Sequence, residues 1–204
     1  MAAADRPIRP REPDAKAVPD GAAFCMFETA IGTCAIAWRG ERIVRTLLPD
    51  PQLRERVAAL LAGATEARPS AMATQAIERI RALLAGGTVG FADVALDLDD
   101  SPAFERSVWQ AAAAIPAGET RSYGEIAAAI GQPGAARAVG RALGRNPLPI
   151  IIPCHRVLAS AGRSGGFSAP GGASTKMKML GIENARRGGE AMLFDRLDWA
   201  LKPD

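Results

Sequence analysis

Two adjacent side chains, Cys154 and His155, carry the most reactive chemistry in this 204-residue chain. They lie in the segment Ile-Ile-Ile-Pro-Cys-His-Arg-Val-Leu, residues 150–158, and His155 is the only histidine. The thiolate is the nucleophilic form of cysteine, and a nearby imidazole can lower the pKa of a thiol or take its proton. The same dipeptide also fits a buried cysteine beside a histidine at a strand end, and for an arbitrary Cys-His pair that structural interpretation is the commoner one.

The apolar run between Pro149 and Pro153 predicts a strand-like segment directly before the thiol. Adjacent side chains of a regular strand point to opposite faces, so Cys154 and His155 could not meet in one. Joint chemistry therefore requires a turn that begins at Pro153.

The other cysteines, Cys25 and Cys34, alternate within apolar segments, and we interpret them as core residues. Three cysteines in a chain without an export signal indicate reduced thiols. A single histidine and the lack of a Cys-x-x-Cys pair argue against a structural zinc site. We expect the protein to need no metal and no organic cofactor.

The basic residues are concentrated in the second half of the chain. Residues 101–204 carry 13 Lys and Arg against 8 Asp and Glu, whereas residues 1–100 carry 12 against 14. Local positive charge favours contact with phosphates, although an excess of this size is more often an ordinary solvated surface. Charge alone therefore leaves nucleic-acid binding open.

The chain is predicted to divide into four parts. The Pro-rich residues 1–22 predict a disordered tail, and no apolar signal-peptide core or stretch of about 18 apolar residues is present. We therefore expect a cytoplasmic protein. Ser101-Pro102 separates a small N-terminal α/β domain, 23–100, from a helical and basic C-terminal domain, 101–187, and a C-terminal extension covers 188–204.

The N-terminal domain is predicted to begin with an antiparallel meander of three strands and to continue with two helices. Glycine-containing turns separate the strands, and Gly86-Gly87 ends the second helix. Alternation of apolar and acidic residues predicts one more strand near the domain boundary. The predicted strands cover 25–29, 34–38, 43–48 and 93–98, and the predicted helices cover 52–61 and 74–85.

The C-terminal domain is predicted to contain a helix-turn-helix. A helix begins after Pro102, and Ser122 and Glu125 have the spacing of a capping box at the start of a short second helix. A Gly-Gln-Pro-Gly turn, residues 131–134, leads into a third helix, and two short helices joined by such a turn form the motif. The pattern is weak alone, because it is frequent by chance in helical proteins.

The third helix has an apolar stripe and an opposite face of arginine and glycine. Its stripe contains Val139 and Leu143, whereas Arg137, Gly140 and Arg141 fall on the other side. Each glycine inside a helix lowers the stability of that helix by roughly 1 kcal/mol relative to alanine, so the presence of glycine on this face needs a reason. Close approach to a nucleic-acid groove would supply one, with an arginine placed in the groove. A surface helix with no such partner is the alternative.

Here the motifs resemble a known family. Pro-Cys-His-Arg-Val, preceded by Arg137-Ala-Val-Gly140 and Asn146-Pro147, strongly resembles the active-site region of the O6-alkylguanine-DNA alkyltransferases, the methylated-DNA–protein-cysteine methyltransferases. The resemblance extends over about residues 104–183. It implies an α+β fold of two domains: a small antiparallel-sheet α/β domain of ribonuclease-H-like type, and a helical domain with a winged-helix-like helix-turn-helix.

The resemblance also implies an activity and partners. An alkyl group, usually methyl, would pass from O6 of guanine, and also from O4 of thymine, in double-stranded DNA to Cys154 after base flipping. The protein would be consumed one molecule per lesion, because a dialkyl thioether is a poor leaving group. Its expected partner is duplex DNA that contains O6-alkylguanine; we expect a monomer and no membrane contact.

Individual roles follow from the matching positions. Cys154 matches the acceptor, His155 the general base acting through a water, Glu183 the acid that orients the histidine, and Asn146 the hinge asparagine. On the DNA side, Arg137 matches the arginine that fills the gap left by the target base, and Tyr123 matches the tyrosine that pushes on the target phosphate. Further DNA contacts are predicted for Gly140, Arg141 and Arg156, and the predicted substrate pocket contains Val157, Phe167 and Ser168.

The substrate loop departs from the family pattern. In residues 166–172, Ala169-Pro170 looks inserted, and Phe167 stands where tyrosine is common. The departure affects the expected preference for alkyl-group size more than the reaction itself. Two other functions stay open at this point: a thiol hydrolase that uses Cys154 and His155, and a lesion-binding module without transfer. The family relatives that only bind lack the cysteine, which disfavours the second.

Overall fold

The computed structural model describes residues 18–159 and 170–185. Within these ranges the chain forms a mixed α/β fold with a small four-stranded sheet and six α-helices. The strands are β1 (Ala23–Thr29), β2 (Gly32–Arg39), β3 (Arg42–Leu47), β4 (Thr65–Glu66), β5 (Arg121–Ser122) and β6 (Val157–Leu158). The helices are α1 (Leu53–Leu60), α2 (Ala71–Leu84), α3 (Ala103–Ala113), α4 (Tyr123–Ala129), α5 (Ala136–Gly144) and α6 (Gly172–Ile182).

The predicted meander is confirmed, since β1, β2 and β3 pair antiparallel in chain order. The sheet has the order β3-β2-β1-β4, because the two-residue strand β4 adds to β1 in the parallel direction. Strand β4 was not predicted: its two residues are exposed and show no apolar alternation. Its pairing is instead specified by backbone, with Thr65 N donating to Ala22 O over 3.0 Å.

The sheet buries both of its faces. Along β2, Cys34, Ile36 and Trp38 join one core cluster, whereas Ala35 and Ala37 join a second cluster on the opposite face. This alternation follows from the period of two in a strand. Helix α1 covers the alanine face, and α2 packs on the other face. The interpretation of Cys34 as a core residue is therefore confirmed.

Helix α2 begins three residues earlier than the prediction of Thr74. Ser70 is its N-cap, and the Ser70 side chain accepts a hydrogen bond from Ala73 N. A capping serine leaves the helical conformation itself and satisfies an amide of the first turn, so it fixes the helix start. The predicted end is confirmed, since Gly86 adopts a φ of 90° directly after the C-cap.

The strand predicted over residues 93–98 is wrong. One parallel bridge joins Leu96 to Ile43, and the segment otherwise has no ladder. Its acidic residues, which produced the alternating pattern, form ion pairs instead: Asp97 binds Arg39 at 2.7 Å, and Asp93 binds Arg79. The alternation therefore records charge pairing across the surface rather than a strand.

The disordered tail was predicted to extend to residue 22, and this boundary is wrong for residues 18–22. Val18 and Ala22 are buried in the cluster around α1, and Ala22 N donates to Pro19 O. Residues 1–17 and the predicted extension 188–204 lie outside the described residues.

The helix-turn-helix is confirmed by α4 and α5. Both hydrogen bonds of the predicted capping box are present at the start of α4: Ser122 accepts from Glu125 N, and Glu125 accepts from Ser122 N. Helix α5 buries its predicted stripe. The indole of Trp109, in α3, donates to Ala142 O over 2.9 Å and fixes the end of α5.

One core cluster runs from the N-terminal sheet through α3 and α5 to Cys154. The division into domains at residue 100 stays a prediction. No helix in the described ranges is long and apolar enough to cross a membrane.

Candidate active site

Cys154 lies in a tight turn and not at the end of a strand. It opens a single 3-10 turn over Cys154–Arg156, whose N-cap is Pro153, so the turn that joint chemistry requires is present. The strand predicted before it is wrong. Pro149 bridges to Ile152 across a reversal in which Ile150 has a φ of 78°. The run is apolar because it is buried, and its prolines lack the amides that a ladder needs.

Asn146 ties this segment together. We call residues 146–153 the active-site turn. The amide nitrogen of Asn146 donates to Ile152 O at 2.9 Å, and its Oδ1 accepts from Leu148 N at 2.9 Å. Hydrogen bonding by the same side chain lowers the pKa of the Cys154 thiol, against the effect of burial. The asparagine predicted as a hinge therefore links both ends of the turn to the cysteine.

A buried carboxylate holds His155. The Nε2 atom of His155 lies 2.9 Å from Glu183 Oε1. Arg156 clamps the same carboxylate, with Nε and Nη2 each 2.8 Å from one of its oxygens, and its Nη1 donates to Ile115 O. The predicted pairing of His155 with Glu183 is present in the structure. The predicted DNA contact of Arg156 is wrong, because its guanidinium is 5% exposed and is engaged inside the protein.

These contacts define which nitrogen of His155 can act as a base. Burial alone would raise the pKa of Glu183, but hydrogen bonds from His155 and Arg156, together with the charge of Arg156, lower it to about 2. Because Glu183 is ionised and accepts only, Nε2 must carry the proton of a neutral ring. Burial lowers the pKa of His155, which favours that neutral ring. The lone pair is then on Nδ1, which is buried and has no hydrogen-bond partner within the described residues.

The cysteine rests as a thiol. Burial raises the pKa of Cys154, although the hydrogen bond with Asn146 and the charge of Lys176 act in the opposite direction. A thiol with a raised pKa is a weak nucleophile at neutral pH, so a base must take its proton when it reacts. His155 follows Cys154 in the same turn and has a lone pair for this purpose.

Lys176 is a component of the site that the sequence analysis missed. It is fully buried in α6, where Nζ donates to Val157 O over 2.7 Å and lies 5.8 Å from the centre of the Tyr123 ring. Burial lowers the pKa of Lys176 to about 8, although the charge of Cys154 acts in the opposite direction and raises it. Helical spacing could have revealed it, because positions 176, 180 and 183 share one face and Glu183 was already a candidate.

We predict that Lys176→Met will slow the alkylation of Cys154 below pH 8. With a pKa of about 8, Lys176 carries in that range a positive charge that favours the Cys154 thiolate, so its loss should reduce the rate about tenfold at pH 7, and the two rates should converge above pH 8. The pH dependence of Cys154 alkylation by iodoacetamide, read by peptide mass spectrometry, measures it. Lys178→Met, in the same helix, is the control and should leave the profile unchanged; equal shifts in both variants would contradict this role.

The remaining predicted DNA residues lie around α4 and α5. Arg137 and Arg141 are exposed on α5, whereas Gly140 faces the protein: a Cβ there would lie 3.8 Å from the Tyr123 ring. Burial raises the pKa of Tyr123, and the charge of Cys154 raises it further. The absence of a side chain at Gly140 thus gives room to Tyr123.

The predicted substrate pocket is only partly described. Val157 is fully buried in the main core, and its place in the substrate pocket stays a prediction. Phe167 and Ser168 lie outside the described residues. Among the described residues, no group of three or more His, Cys, Asp and Glu side chains could hold a metal ion.

Comparison with known proteins gives consistent matches. The family model of the 6-O-methylguanine DNA methyltransferase DNA-binding domain matches residues 103–185. A methylated-DNA–protein-cysteine methyltransferase of Mycobacterium tuberculosis is 48% identical over 120 residues, which cover 59% of this chain and 70% of the relative. The constitutive methylated-DNA–protein-cysteine methyltransferase of Bacillus subtilis is 37% identical, over 78% of this chain and 94% of its own length.

A solved structure matches as well. The crystal structure of Mycobacterium tuberculosis OGT in complex with DNA has a TM-score of 0.67 and 37% identity, and the match covers 79% of this chain and 92% of that one. The matched family region includes Cys154, His155, Arg156 and Glu183. The length, identity and coverage of these matches show that the chain belongs to the methylated-DNA–protein-cysteine methyltransferase family.

Proposed function

We propose that this protein repairs DNA by moving an alkyl group, usually methyl, from O6 of guanine in duplex DNA to its own Cys154. The observation that carries this proposal is a buried thiol followed, in one 3-10 turn, by a neutral histidine whose Nε2 is held by an ionised Glu183. The relatives named above carry the name of this activity, and one solved relative is a complex with DNA. The same transfer from O4 of thymine is part of the proposal.

The chemical step is an in-line displacement at the alkyl carbon. His155 Nδ1 takes the thiol proton through one water, and the Cys154 sulfur attacks the carbon. The carbon–sulfur bond forms as the carbon–oxygen bond breaks, with its electron pair leaving on guanine, which takes up a proton. The products are guanine and a thioether. A dialkyl thioether is a poor leaving group at ordinary pH, so each molecule acts once.

Burial of the thiol requires the target base to leave the duplex. Cys154 is 9% exposed, which excludes attack on a base that is still stacked. We propose that α5 binds the minor groove with Arg137 inserted in the duplex and Arg141 on the backbone. Tyr123, whose ring packs against α5 at Gly140, would contact the extruded nucleotide. The exposure of both arginines supports this arrangement.

We also propose the finer organisation of the chain. The part from 23 to 100 would be a ribonuclease-H-like domain, supported by its four-stranded mixed sheet between helices. The part from 101 to 187 would be a winged-helix-like domain, supported by α4, α5 and the β5-β6 pair. The whole protein would act as a monomer. Phe167 and Ser168 would contact the alkylated base, and the protein would act in the cytoplasm.

Peptide mass spectrometry after incubation with an O6-methylguanine duplex tests the proposal. We expect methyl on the Cys154 peptide, one per protein molecule, and none with Cys154→Ala. Tight binding of the lesion with no methylated peptide would support a binding module instead. Repeated turnover of a small ester by the wild type but not by Cys154→Ala would support a hydrolase.

A further inference from the structure

Strand β3 of the N-terminal sheet reaches the active-site turn through one residue. Thr46 is 2% exposed, and its hydroxyl donates to Pro149 O over 2.7 Å. Its backbone amide donates to Pro147 O over 3.1 Å. The side-chain bond joins residues 103 positions apart, so the two halves of the chain meet at the turn that precedes the cysteine.

The carbonyl that Thr46 binds belongs to Pro149, which directly precedes a residue with a strained backbone, Ile150. Ile150 has a φ of 78°, in the left-handed region that a β-branched residue rarely adopts. Such a conformation persists only where neighbouring contacts hold it. Thr46 holds Pro149 from one side, and Asn146 holds Ile152 from the other.

Movement of the active-site turn would change the position of the Cys154 thiol directly. Cys154 N donates to Ile152 O over 2.8 Å, and Asn146 donates to the same carbonyl over 2.9 Å. Asn146 also lowers the pKa of the Cys154 thiol. A change at Pro149 therefore alters both the position of Cys154 and one of the contacts that favour its thiolate.

We propose that Thr46 is a positioning residue for Cys154, through which the N-terminal sheet fixes the active-site turn. This makes the first half of the chain part of the reactive machinery, although it contributes no atom to the reaction. The consequence for repair rests on the function proposed above, whereas the consequence for the thiol does not.

The test compares Thr46→Val, which removes the hydroxyl at nearly constant volume, with Thr46→Ser, which keeps it. Thr33→Val is the matched control, since the Thr33 hydroxyl binds Glu28 in the same sheet, away from the active-site turn. The readouts are the pH dependence of Cys154 alkylation by iodoacetamide and the rate of methyl transfer from an O6-methylguanine duplex. Cys25 alkylation in the same samples is an internal reference, and affinity for unmodified duplex reports on α5.

We expect Thr46→Val to slow both reactions of Cys154 about tenfold and to move the alkylation profile to higher pH. Thr46→Ser should stay within about twofold of the wild type, and Thr33→Val and duplex affinity should not change. A wild-type profile in Thr46→Val, or a loss in Thr46→Ser as large as in Thr46→Val, would overturn the inference. If Thr46→Val does not fold, Thr46→Ala removes the same donor without placing a methyl against the carbonyl. A wild type that alkylates normally but transfers no methyl would overturn the proposed function alone.

Discussion

Replacing Glu183 with glutamine is expected to slow methyl transfer to Cys154 by about 100- to 1000-fold, the range typical of a lost general base. Glu183 Oε1 binds both His155 and Arg156, and Oε2 accepts from Arg156, so the single amide oxygen of the glutamine cannot serve all three groups. Where the amide NH₂ takes the Oε1 position, it faces His155 Nε2, so the ring proton moves to Nδ1 and the lone pair that should receive the thiol proton is lost. Where the amide oxygen takes that position, the tautomer is kept, but the negative charge that stabilises His155 as it gains a proton is lost. Single-turnover kinetics on an O6-methylguanine duplex measure the change.

The same substitution should lower the free energy of unfolding by about 3–5 kcal/mol, the usual cost of leaving a buried charge without its partner. Arg156 would keep its bond to Ile115 O but lose its counter-charge. Urea denaturation at pH 7 measures the loss. Glu78→Gln is the control, since it removes an exposed pair with Arg81 within α2 and should cost less than about 0.5 kcal/mol.

The pH dependence of stability provides a second measurement. The pKa of Glu183 falls from 4.5 to about 2 in the folded protein, so its contribution is complete above pH 4.5 and is lost as the pH falls toward 2. At about 1.4 kcal/mol per pH unit, the contribution is about 3 kcal/mol. Glu183→Gln should lack this part of the acid dependence. A normal transfer rate together with a large stability loss would mean that Glu183 is structural and does not set the proton position of His155.

Features that depend on neighbouring residues could be predicted from the sequence. The capping box at Ser122 and the glycine turns of the meander satisfy backbone groups within a few residues, so they are visible as local spacing. The buried stripe of α5 follows from helical period alone. Of the candidate site, the pairing of His155 with Glu183 was implied by the family resemblance and not by any local pattern.

The wrong predictions share a cause in long-range contacts. Arg156 was predicted to contact DNA, but Glu183 and Ile115, 27 and 41 positions away, bind it in the interior. The alternation at 93–98 reflects arginines on β2 and α2. Lys176 is buried with its ammonium bound to the carbonyl of Val157, 19 positions away, which no composition rule detects.

Substitution of Arg137 with alanine should separate base extrusion from chemistry. We expect transfer from duplex DNA to fall about 100-fold, because a few kcal/mol of unstacking is no longer offset by a side chain that fills the gap. Transfer from free O6-benzylguanine should stay within twofold of the wild type. Exposed Arg137 has no contact with the turn that carries Cys154 among the described residues, so the thiol should keep its reactivity.

Two variants separate the shape of Arg137 from its charge. Arg141→Ala, one helical turn later, removes the same charge from α5 but no inserted side chain, so it should weaken binding to any duplex and reduce the slope of log K against log salt by about one. Arg137→Lys keeps the positive charge, so its salt slope should equal that of the wild type. Its rate of transfer from duplex DNA should stay as low as that of Arg137→Ala, because a flexible ammonium does not stack as a planar guanidinium does. Equal losses on free base and duplex would contradict the intercalating role, since only the duplex requires extrusion. A full rescue by lysine would show instead that Arg137 acts on DNA by charge alone.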